Sequence, residues 1–70
     1  MISYKRLWET MQKKEITQYA LINRFHISPA QITRLKRNEY VSTHTIDMFC
    51  KILDCRVEDI MEYVVNQDNK

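Results

Sequence analysis

Seventy residues, 44% hydrophobic and 29% charged, suit one small globular domain with room for one modest core and little for an enclosed catalytic cavity. No apolar run approaches the roughly 20 residues of a membrane-spanning helix, and the opening Met1 to Glu9 lacks the long apolar stretch of a secretory signal, so a cytoplasmic location is expected. The net charge of +2 hides a division: residues 1–38 carry eight bases and two acids, net +6, and residues 39–70 three bases and seven acids, net −4.

Helical spacing occurs five times along the chain and strand signals are weak, which predicts an all-α domain of five helices without a sheet. Tyr4, Leu7, Trp8 and Met11 fall at i, i+3, i+4 and i+7, giving a first helix over about residues 4–14. Thr17 is placed to cap a second helix that buries Leu21, Ile22 and Phe25. Ser28-Pro29-Ala30-Gln31 opens a third with a capping box and a proline at the first helical position. Ile27 and Ile32 form a hydrophobic staple across that start. A fourth helix follows Ser42, stapled by Val41 and Ile46, with Ile46, Phe49, Cys50 and Leu53 inward. A fifth, over about residues 57–64, would bury Val57, Ile60, Met61 and Val64 and place Glu58 and Asp59 at its positive dipole end. The domain then runs over residues 1–65, with 66–70 as a frayed tail.

The chain contains no glycine, although helix ends commonly close on a left-handed residue. His26, Asn38 and Asp54 stand at three junctions, and these residue types tolerate that conformation best. His26 therefore has a structural role to fill before any catalytic one. Cys50 and Cys55 are expected to be reduced, half-buried residues. With His26 and His44 they match no zinc-ligand spacing, so no metal site is expected.

Only His26 and Ile27 separate the second and third helices, with Ser28 as the cap, and so short a link forces a sharp crossing of the helix-turn-helix kind. On the third helix Ile32 and Leu35 mark the buried side. At about 100° per residue, Ala30, Arg34 and Arg37 project opposite it, with Thr33 on the flank and Gln31 further round. Such a helix can enter the DNA major groove by its N-terminal end, where alanine approaches a thymine methyl and arginine grips guanine O6 and N7. The candidate base-contacting residues are Ala30, Gln31, Thr33 and Arg34, although the capping-box role of Gln31 competes with reading. The candidate backbone-contacting residues are Gln18, Ser28, Lys36, Arg37 and Asn38. The basic front fits such a polyanion partner, while an unevenly solvated surface would give the same charge count.

Thr17-Gln18, Leu21, Phe25-His26-Ile27-Ser28, Ile32 and Leu35 resemble the helix-turn-helix of phage Cro proteins, lambda-type repressors and their bacterial relatives, the Cro/C1-type family. The resemblance continues through Asn38-Glu39-Tyr40-Val41-Ser42 and Cys50 to Cys55, and on to Glu58-Asp59-Ile60. The opening Ile2 to Trp8 and the closing Asp59 to Val64 look like a compact branch from Gram-positive bacteria and mobile elements. It implies a lambda-repressor-like domain and a homodimer on paired half-sites of double-stranded DNA. It also implies phosphate contact by Gln18 and base-facing positions at Pro29, Ala30, Gln31 and Arg34. The sequence departs from the family pattern at the turn glycine, here His26, at the small residue of the second helix, here Ile22, and at the last cap, here Arg56. Pro29 brings no hydrogen-bond donor to its position.

The expected function is sequence-specific DNA binding by a transcriptional regulator, with repression the expected mode. A helical protein-interaction module is the alternative. An enzyme is not expected, because no Ser/His/Asp set, carboxylate cluster, glycine-rich phosphate loop or metal motif appears; His44 and Asp47 read as a surface i, i+3 contact. A membrane-surface helix fails because the apolar faces are needed for the core. No cofactor or small-molecule effector is implied. Tyr63 and Val65 on the fifth helix, or else Trp8 and Met11 on the first, are the expected dimer surface.

Overall fold

The computed structural model describes residues 1–65. Four helices form where the stripes and caps place them: α1 Lys5–Lys13, α2 Gln18–Asn23, α3 Pro29–Lys36 and α4 Thr43–Leu53. Three of the starts are capped by hydroxyls. Thr17 Oγ1 accepts from Ala20 N at 3.1 Å, Ser28 Oγ from Gln31 N at 3.3 Å, and Ser42 Oγ from Thr45 N at 3.3 Å. Each bond satisfies an amide that the helix itself leaves open. The apolar stripes meet in one core of Tyr4, Leu7, Met11, Leu21, Ile27, Ile32, Leu35, Ile46, Phe49, Leu53 and Ile60. Trp8, Ile22, Phe25 and Cys50 pack against it half-buried. Met11, offered above as part of a dimer surface, is inside and cannot serve as one.

The left-handed junctions carry the absence of glycine. His26, Asn38 and Asp54 have φ of 60°, 56° and 50°, and a fourth, Glu15 at 58°, closes the turn between α1 and α2. Glutamate gains no local side-chain compensation there, so nothing in its residue type marks the position.

The fifth helix does not form, and the domain is not free of sheet. Val57–Asp59 make a single 3₁₀ turn, closed by Arg56 N donating to Asp59 Oδ2 at 3.1 Å. The chain then extends into β2, Glu62–Tyr63, which pairs antiparallel with β1, Ile2–Ser3; Ile2 faces Tyr63 and Ser3 faces Glu62. Val64 N extends the ladder to Met1 O at 2.7 Å. Ile60 and Met61 keep their inward places, but Val57 and Val64 are exposed. The reason is physical: Tyr63, Val64 and Val65 favour extended backbone, and the N-terminal segment supplies a partner strand that local periodicity cannot reveal. Arg6 fastens the turn to α1 by bonding Glu58 O at 3.1 Å and Glu62 at 3.2 Å, and Thr10 Oγ1 donates to Asp59 O at 2.7 Å. The tail over 66–70 lies outside the described residues.

Candidate nucleic-acid interface

The link between α2 and α3 is built from both sides. Phe25 N bonds Ala20 O at 3.2 Å and Ile27 N bonds Leu21 O at 2.9 Å, ending α2 tightly before His26 turns left-handed. Ile27 and Ile32 are both buried and bracket the Ser28 cap, as a hydrophobic staple does. With Leu21 and Leu35 fully inside, one face of α3 is fixed to the core and the opposite face is fixed outward. Histidine thus makes the turn that glycine would make, and Ile22 is accommodated half-buried at the core margin.

Ala30, Thr33, Arg34 and Arg37 are exposed along that outward face, with Pro29 exposed at its start. Thr33 Oγ1 is turned back along the helix, donating to Pro29 O at 3.1 Å. Among the described residues Arg34 enters no ion pair, while Arg37 Nη1 lies 3.7 Å from Glu39. That pair is exposed on both sides and weak enough to yield to a phosphate.

Gln31 does not stand in the outward row. It is half-buried beside a groove of about 190 Å³ between α3 and α4, lined also by His26, Ile27, Ser28, His44, Thr45 and Met48. Its Oε1 is buried without a hydrogen-bond partner, so only the Ser28 half of the expected capping box is made. Ser28 and Lys36 are exposed, Gln18 is half-exposed in the first turn of α2, and Asn38 is half-buried where α3 ends. Asn38 Oδ1 is already engaged, accepting from Tyr4 N at 2.9 Å, which leaves only its amide nitrogen for a phosphate.

Two exposed side chains escaped the sequence reading. Tyr19, beside Gln18, and Tyr40, just past α3, are 75% and 84% exposed. Both fall outside every helical stripe, which is the signal that could have marked them. A phenol hydroxyl in such a place is free to donate a hydrogen bond to an anionic group. His44 and Asp47 also part company, because Asp47 pairs instead with Lys51 at 3.3 Å.

Among the described residues no three of His, Cys, Asp and Glu gather as a metal set, and no helix is long and apolar enough to cross a membrane. Cys50 and Cys55 are free thiols. Burial raises the pKa of both, helped by Asp47 beside Cys50 and by the Cys50 thiol beside Cys55.

The fold is similar to the crystal structure of the transcriptional regulator VanUg, with a TM-score of 0.83 and 26% identity over 93% of this chain and 87% of that one. No curated protein matches the chain. The family model of the Cro/C1-type helix-turn-helix DNA-binding domain matches residues 6–66, which takes in α1 from its second residue, α2 to α4, the 3₁₀ turn and β2. The chain belongs to the Cro/C1-type helix-turn-helix DNA-binding family.

Proposed function

We infer that this chain is a sequence-specific regulator of transcription, acting in the cytoplasm as a repressor, that lays α3 in the major groove of double-stranded DNA. The observation that carries the reading is the outward row of α3, Ala30, Thr33, Arg34 and Arg37, held over a face sealed by Ile32 and Leu35. In this reading Ala30, Thr33 and Arg34 meet base edges, and Gln31 is the least exposed of the four proposed readers. Gln18, Ser28, Lys36, Arg37 and the amide of Asn38 hold phosphates, joined by Tyr19 and Tyr40. The family match and the likeness to VanUg, itself a transcriptional regulator, support a regulatory rather than an enzymatic role. The narrower placement in a Gram-positive, mobile-element branch rests on the opening and closing segments alone.

A single module offers few contacts, so the chain acts as a homodimer on half-sites about one helical turn apart. The exposed apolar side chains Val57, Tyr63, Val64 and Val65 around β2 favour that end as the surface between copies. Selection of binding sites from random duplexes, followed by sedimentation of the complex, tests both statements. A shared palindromic motif bound by two chains is the expected result. Salt-independent binding without a motif would leave the protein-interaction alternative, and a one-to-one complex on a palindrome would remove the dimer.

A further inference from the structure

The start of α3 is poorer in hydrogen-bond donors than its composition implies. Pro29 has no N–H, and Ala30 ends in a methyl. The Thr33 hydroxyl gives its proton to Pro29 O at 3.1 Å, so this side chain has no donor left for a base edge and offers its γ-methyl and the remaining lone pair of its oxygen. Gln31 has its acceptor Oε1 buried, so its amide NH2 is the one side-chain donor at this end besides Arg34. What faces outward is a patch of three apolar groups, on Pro29, Ala30 and Thr33, beside the Arg34 guanidinium, which enters no ion pair among the described residues. Pro29 and Thr33 are i, i+4 neighbours and Ala30 and Thr33 are i, i+3, so the patch is continuous. It runs about 6 Å along the helix, against a spacing of about 3.4 Å between bases of one strand.

In the major groove thymine alone presents an apolar group, its 5-methyl, while guanine presents the O6 and N7 acceptors that suit arginine. We propose that α3 selects its operator through two adjacent thymine methyls seated on Pro29, Ala30 and the Thr33 methyl, next to a guanine held by Arg34. A cytosine or adenine in the thymine position would press an amino group against the Pro29 and Ala30 carbons, which offer it no acceptor, and that is where the discrimination arises. The inference rests on the DNA-binding reading above and specifies its substrate.

The test replaces each thymine of the selected half-site by deoxyuridine, one at a time, which removes only the methyl. Two adjacent positions should each lose about fourfold in affinity, the equivalent of about 0.8 kcal/mol for one buried carbon. Thr33→Val keeps the methyl and should bind as the parent does, with the same sensitivity to deoxyuridine. Thr33→Ser keeps the hydroxyl bond and should bind more weakly, with the sensitivity lost at the thymine it faces. A selected motif that binds equally well with every thymine replaced would overturn the inference and leave DNA reading intact. So would a Thr33→Val protein that loses the motif while Thr33→Ser keeps it. Absence of any preferred motif would overturn the inference together with the reading on which it rests.

Discussion

Asn38 Oδ1 accepts the amide proton of Tyr4 at 2.9 Å, so the residue that ends α3 also secures the entrance to α1. Tyr4 is itself buried in the core. The loop that leaves α3 is therefore pinned to the start of α1 by this bond. Asn38 does this from a left-handed backbone, φ 56°, which asparagine accepts more readily than most residues.

Asn38→Ala should remove the bond to Tyr4 N and impose the left-handed penalty, costing about 2 kcal/mol in total. Asn38→Gly removes the bond alone and should cost about half as much. Denaturant titration of the two variants checks this, and equal losses would dismiss the backbone contribution.

The alkaline limb of stability should be set by Tyr4, Cys50 and Cys55. Burial raises the pKa of all three. As pH rises, the unfolded chain therefore gives up these protons before the native protein does. The native state then binds more protons, and stability falls with pH, beginning near the ordinary thiol pKa of about 8.5. Melting temperature measured from neutral pH upward should decline over that range. The decline should start later in a Cys50→Ser, Cys55→Ser double variant, and a flat parent profile would refute the assignment.

Among the described residues, Gln31 in α3 keeps a buried oxygen without a partner. Gln31→Met fills the same volume without that oxygen and should raise stability by about 1 kcal/mol, seen as a melting temperature higher by about 4–8 °C. Destabilisation would mean that the carboxamide finds a partner in solution. Titration of the same variant on the selected site separates its holding role from a reading one.

Where the signal was local, the sequence carried the fold. Thr17, Ser28 and Ser42 cap helices because a hydroxyl and the amide it satisfies lie three residues apart. His26, Asn38 and Asp54 were identifiable because few residue types sit easily at positive φ. The pairing of Ile2 with Tyr63 was not legible, since strands of two residues have no period and their partner lies at the other end of the chain. Residues 57–64 fit a helical stripe and an extended edge about equally well, and the β1 partner decided between them. In the interface, angular position placed Ala30, Thr33 and Arg34 outward. It could not reveal that the Thr33 hydroxyl is spoken for by Pro29 or that Asn38 is engaged by Tyr4.

The most direct measurement is the affinity of Arg34→Ala and Lys36→Ala for the selected site and for random duplex at several salt concentrations. Arg34 lies on the outward row about one turn into α3. Its loss should cost about 1–3 kcal/mol on the selected site and much less on random DNA. Lys36 lies nearer the buried side by angular count, and its loss should weaken both duplexes alike and lower the salt slope by about one unit. A uniform loss for Arg34→Ala, with the site preference intact, would contradict the assignment of α3 as the reading helix.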